Sequence, residues 1–155
     1  EYITRHENII MVGNPGTGKT HLSIGLGIAA CRNGYRVRFY SAPALATELA
    51  EAQDKYQLRR LEQAINKANL LIIDDLSYIT FNRRHSELLF KLISERTERA
   101  SIIISTNLEF SRWPELFEDP MLTAALVDRL TFKAHILNMN GESYRLKQRK
   151  PTAGQ

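Results

Sequence analysis

Gly13-Asn14-Pro15-Gly16-Thr17-Gly18-Lys19-Thr20 sets three glycines, a lysine and a hydroxyl in the order G-x-x-x-x-G-K-[ST], a spacing suited to holding phosphate. Gly13, Gly16 and Gly18 let the backbone curl through positive φ, so that its N–H groups converge on anionic oxygens. A helix beginning near Thr20 would aim its positive end at the same anion. Lys19 is then placed to reach the β- and γ-phosphates of a nucleoside triphosphate, and the Thr20 hydroxyl to ligate Mg²⁺. With His21, residues 13 to 21 make up the candidate nucleotide-binding set. The alternative is a glycine-rich βα turn without a ligand. An apolar run before it (Ile9 to Val12) and a helix-like segment after it favour the phosphate.

Three further groups complete a candidate catalytic set. Leu70-Leu71-Ile72-Ile73-Asp74-Asp75 is an apolar strand that delivers two acids at its C-terminal end, where open α/β sheets bind ligands. Asp74 is the candidate Mg²⁺ holder with Thr20, and Asp75 the group that polarises an attacking water. Ser105-Thr106-Asn107 ends another apolar strand. Asn107 would bond the γ-phosphate or that water, although Asn is also common where strands turn. Arg129, in Val127-Asp128-Arg129-Leu130, is either a finger that neutralises charge on the transferring phosphoryl group or an ordinary helix-surface ion-pair residue.

Positioning these groups requires a sheet. Apolar strands are expected at 8–12, 35–40, 70–73, 101–105 and 134–137, separated by amphipathic helices, which argues for a parallel α/β fold. The 35–40 segment alternates and reads as less buried. Residues 20–32 and 84–99 read as helices, the second with Leu88, Leu89, Leu92 and Ile93 on one face. Residues 42–68 interrupt the alternation with two helices, about 43–53 and 56–67. Leu45, Leu49, Leu58, Leu61 and Ile65 would pack inward, leaving Lys55, Arg59, Arg60 and Lys67 outward. Such a charge set is either a solvated face or a DNA-contacting insertion.

The 155 residues fit one domain, with 43% hydrophobic and 25% charged content, ordinary for a globular chain. Nothing approaches the ~20 apolar residues of a membrane span. A net charge of +4 permits nucleic-acid binding without requiring it. The lone Cys31 excludes an internal disulfide, suits a reducing cytoplasm and is expected as a small buried hydrophobe. The start at Glu1 rather than Met points to material missing upstream, and 151–155 reads as a disordered tail.

Taken in order, these motifs resemble the AAA+ ATPases, and more closely the branch of DnaC-type helicase loaders and IstB-type transposition helper ATPases. The likeness spans nearly all of residues 8–149, through GNPGTGKTH, LLIIDDL, STNLEFSRWPELFEDPMLTAALVDRL and GESYRLK. The Trp113-to-Phe117 stretch points to the insertion-sequence group. The resemblance implies a P-loop AAA+ core over 1–150 with a five-stranded parallel sheet flanked by helices. A helical insertion at 42–68 would follow the second strand, and the C-terminal lid would be missing. It assigns Lys19 and Thr20 to Walker A, Asp74 and Asp75 to Walker B, Asn107 to sensor 1 and Arg129 to the finger, with Arg145 either sensor 2 or a packing residue on the last strand. Many relatives carry Glu at the second acid, one methylene longer than Asp75. It further implies ATP and Mg²⁺ as cofactors and rings or filaments closing the active site between subunits. The implied partners are duplex DNA, bound largely without sequence preference, and a transposase, or alternatively a replicative helicase. A domain upstream would engage that partner. The residues by themselves also leave open a P-loop small-molecule kinase, which would need an acceptor pocket and a lid sequence.

Overall fold

The computed structural model describes residues 1–77, 82–97, 99–117 and 119–140. Five strands, β1 (Asn8–Val12), β2 (Val37–Ser41), β3 (Leu70–Leu76), β4 (Ser101–Thr106) and β5 (Ala134–Asn138), form one sheet in the order β2-β3-β4-β1-β5. Every pairing is parallel. Among the described residues six α-helices connect or flank them: α1 (Lys19–Arg32), α2 (Ala42–Asp54), α3 (Leu58–Asn66), α4 (Arg83–Arg96), α5 (Trp113–Phe117) and α6 (Pro120–Phe132).

The central strands are continuous apolar runs because both faces are covered. Alternation divides each strand between two layers. Ile10, Leu71, Ile73, Ile102 and Ile104 point to the side of α2, α4, α5 and α6, whereas Ile9, Met11, Leu70, Ile72 and Ile103 meet the α1 side. Trp113 is fully buried in the first layer, its indole N–H donating to the Leu108 carbonyl at 3.1 Å. Phe90, Phe110 and Phe117 pack around that neighbourhood. Trp113, Leu116 and Phe117 of that stretch are therefore core, and Glu115 is exposed.

Local chemistry sets the helix starts. Ser41, Asn82 and Asp119 each accept a backbone N–H at the first turn of α2, α4 and α6. Four expectations shift. β2 begins at Val37 rather than Tyr35, because Tyr35 N–H is held by the Ala30 carbonyl and Arg36 N–H by the Asn69 side chain. β3 runs through both acids to Leu76 instead of stopping at Ile73. α4 ends at Arg96, since Arg96 turns into the core, where its guanidinium donates to the Ser101, Ile65 and Ala68 carbonyls. Burial lowers the pKa of Arg96 to about 10. Cys31, expected inside, is exposed. α1 buries Ser23, Gly27 and Ala30, and Cys31 falls on the neighbouring stripe with the exposed Ile24 and Ile28.

The inserted element is the α2–α3 hairpin, between adjacent strands β2 and β3. Leu45, Leu49 and Ile65 are fully buried and Leu58 and Leu61 partly so. Arg84 ties the hairpin to α4 through Asp54, at 2.8 Å, and the Ala50 carbonyl, at 2.6 Å. The tail at 151–155, Arg145 and the stretch that bears on the expected absence of a lid all lie outside the described residues.

Candidate functional site

β1, β3 and β4 are adjacent or nearly so in the sheet, so their C-terminal ends converge on one edge. The loop after β1 turns there into α1. Gly16, at φ +83°, and Gly18, at φ +92°, occupy the left-handed region, and Gly18 caps α1. Gly13 does not share that conformation. It is needed for close approach, because a Cβ there would stand 3.1 Å from Thr17 Oγ1 and 3.2 Å from Met139 Cβ. The loop is pinned from β5 as well. Met139 N–H donates to the Val12 carbonyl at 2.7 Å, and Asn14 N–H to Asn140 Oδ1 at 2.6 Å. Sequence reasoning missed both residues, which carry no motif.

A cleft of about 460 Å³ opens over this edge, lined by Pro15, Gly16, Gly18, Lys19, Thr20, His21, Asp74, Asp75, Ser105 and Asn107. That volume lies in the range of small-ligand sites. Of the sequence-selected residues, the loop, both acids and Asn107 are thus brought together. Other hollows are as large or larger, but they lack a phosphate-type loop.

Inside the cleft Lys19 Nζ donates to the Gly13 carbonyl at 2.5 Å and the Asn14 carbonyl at 2.8 Å. Burial pushes its pKa below the usual lysine range, while the Asp75 and Asp74 charges pull it back up. Thr20 Oγ1 lies 3.0 Å from Asp74 Oδ2. Asp74 is buried and also accepts from the Ser105 hydroxyl. Asp75 stands at the mouth in an unusual left-handed backbone conformation, φ +63°. Its carboxyl is raised above the usual carboxylate range, first by lost hydration against the cleft wall and then by the Asp74 charge, with Lys19 opposing.

These groups suit a polyanion with a hard cation. Mg²⁺ sites use one or two carboxylates with substrate phosphates rather than an all-protein cage. The Thr20 hydroxyl beside the Asp74 carboxylate is such a pair. Among the described residues no cluster of three or more His, Cys, Asp or Glu provides a cage.

Residues 1–152 match the family model of IstB-like ATP binding proteins. This chain belongs to that family. Among its relatives, the insertion sequence IS21 ATP-binding protein of Pseudomonas aeruginosa is 42% identical over 149 residues. That match covers 96% of this chain and 56% of the relative. An IS5376 ATP-binding protein of Geobacillus stearothermophilus is 38% identical, with 96% and 59% covered. The IstB-like chain thus spans little more than half the length of these curated relatives. Solved structures share the fold. The DnaC helicase loader superposes with a TM-score of 0.70 at 21% identity, covering 88% of this chain and 83% of that one. AMPPCP-bound DnaA from Aquifex aeolicus gives 0.74 at 20% identity, covering 96% and 48%.

The remaining candidates of this IstB-like chain lie elsewhere. Arg129 is exposed in the last turn of α6 and does not line the cleft. Among the described residues nothing pairs with it. Lys55, Arg59, Arg60 and Lys67 are all exposed on the hairpin. They do not form one basic stripe. Arg59 borders a groove with Tyr56, Glu62, Lys91, Glu95 and Arg99, whereas Lys55 and Arg60 border another with Glu48 and Glu51. No helix among the described residues is long and apolar enough to cross a membrane.

Proposed function

We propose that the chain is the ATPase core of an IstB-type protein of the bacterial cytoplasm, which assembles on duplex DNA and assists a transposase. The observation that carries this reading is the convergence of Lys19, Thr20, Asp74, Asp75 and Asn107 on one cleft at the sheet edge. Residues 13–21 bind the triphosphate, and Lys19 exchanges its loop carbonyls for phosphate oxygens. Thr20 and Asp74 hold Mg²⁺, which when bound neutralises charge on the phosphate oxygens. Asp75 accepts the proton of the attacking water, and Asn107 orients that water or the γ-phosphate. Arg129, remote from its own cleft, supplies the finger to a neighbouring subunit, so that hydrolysis depends on assembly. The hairpin cations contact DNA phosphates, which gives affinity with little sequence preference.

Electron microscopy with duplex DNA and a non-hydrolysable ATP analogue tests this. Rings or filaments enclosing the duplex are expected. Nucleotide-bound monomers that leave the duplex bare would contradict it, and assembly only on a replicative helicase would favour the loader function instead.

A further inference from the structure

We propose that Ser105 is a positioning residue: its one hydroxyl clasps both acids of the cleft and sets the backbone from which Asp75 works. The proposal rests on the ATPase reading above. It starts from the strand register. β3 and β4 pair in step from Leu70 with Ser101 to Ile73 with Ile104, but the next pairing is Leu76 with Thr106. Three residues advance on β3 while two advance on β4, so β3 carries one extra residue, a bulge of the kind that re-aims side chains beside active sites. Asp75 sits within that bulge at φ +63°, where its carboxyl leaves the sheet for the cleft mouth. Asp tolerates this conformation better than most residues but does not seek it.

Ser105 stands opposite the bulge. Its Oγ accepts the Asp75 backbone N–H at 2.9 Å and donates to Asp74 Oδ1. The donation leaves Asp74 Oδ2 facing Thr20. Only a group that donates and accepts at once can do both, and a hydroxyl is the smallest such side chain. Ser105 is 1% exposed, so solvent has little access to replace it. The next residue closes the other side of the bulge. Thr106 Oγ1 donates to the Leu76 carbonyl at 2.6 Å and accepts Leu108 N–H at 3.0 Å, across Asn107. β4 therefore grips β3 at consecutive hydroxyls, immediately before Asn107.

Ser105→Ala breaks both bonds, and Ser105→Thr keeps the hydroxyl. With ATP and Mg²⁺, the Ala variant is expected to lose kcat on the order of 10²-fold, the effect of about 1 Å of misplacement. ATP affinity measured without Mg²⁺ should stay within about twofold, because Lys19 and the loop are untouched. The Thr variant should recover most of the rate. Without nucleotide, amide hydrogen exchange at Asp75 should quicken about tenfold in the Ala variant and stay near wild type in the Thr variant. If Ser105→Ala does not fold, as judged by circular dichroism, Ser105→Cys takes its place, similar in size but a poor donor and acceptor, with the same outcomes expected. A wild-type kcat, an equal loss of kcat and ATP affinity, or unchanged Asp75 exchange would overturn the proposal. The exchange arm stands whether or not the chain hydrolyses ATP. Failure of the ATPase reading shows separately, as ATP binding that ignores Lys19→Ala.

Discussion

Replacing Asp75 with Asn separates hydrolysis from nucleotide binding. The variant keeps the side-chain size, and Asn shares the tolerance of Asp for the left-handed conformation seen at φ +63°. The bond to Ser105 uses the backbone N–H of residue 75, so it survives. Fold stability at a given pH should therefore change little from lost contacts, within about 0.5 kcal/mol. Charge adds a pH dependence. The Asp75 carboxyl is raised in the folded chain, so the folded state holds its proton more readily than the unfolded one. Stability of the wild type then falls as pH rises from the ordinary carboxyl range through the raised value. The Asn variant escapes this fall, gaining on the wild type above that window and matching its trend below. Binding should tighten slightly. A carboxylate about 6 Å from a phosphate charge in water-like dielectric repels it by roughly 0.7 kcal/mol. Hydrolysis should drop by about 10²–10⁴, the range for a lost general base, or roughly 2.7–5.4 kcal/mol of barrier. Phosphate release, calorimetric ATP titration and thermal melts across pH read all three effects. A wild-type hydrolysis rate in a variant that binds ATP would refute the role given to Asp75.

Two other predictions address the interface and the core. Arg129→Ala should bind ATP yet hydrolyse it about 10³–10⁵-fold more slowly, and mixing it with Lys19→Ala protein should restore part of the rate, since one supplies an intact loop and the other an intact finger; no recovery in mixtures shown to co-assemble would remove Arg129 from the neighbour's site. Arg96→Ala should cost about 3–5 kcal/mol in urea unfolding, because three buried carbonyls lose their donor; stability within 1 kcal/mol of wild type would show that these bonds are dispensable.

Strands and chemistry were legible in the sequence to different depths. β1 was read to the residue, because Ile9 to Val12 is apolar and a glycine follows it. The edge strand β2 was recognisable from its alternation, although its start was displaced because Tyr35 and Arg36 donate their N–H groups to Ala30 and Asn69, which lie outside the alternating segment. The phosphate loop and both acids were readable because each needs particular residue types at fixed spacing. Ser105 was visible only as part of a polar strand end. Its role depends on a bulge, and bulges arise from pairing between strands 30 residues apart. Asn140 and Met139 escaped for the same reason, since they meet the loop through β5 and 126 residues separate Asn14 from Asn140. Arg96 carries no signal of its own within the 84–99 segment, and only the packing of three carbonyls around it makes it core. Cys31 was misplaced because a helix stripe one residue over from Ala30 lies outside the packed layer.

The central claim, that residues 13–21 bind ATP, is tested most directly by calorimetric titration of ATP with Mg²⁺ into the wild type and Lys19→Ala. Among the described residues Lys19 bonds only carbonyls and the Thr17 hydroxyl of its own loop, so its removal leaves β1 and α1 standing. A charged hydrogen bond of this kind contributes about 1.5–3 kcal/mol, so affinity should fall roughly 10- to 150-fold with the circular dichroism spectrum unchanged. Equal affinity in the two folded proteins would contradict the assignment of the loop.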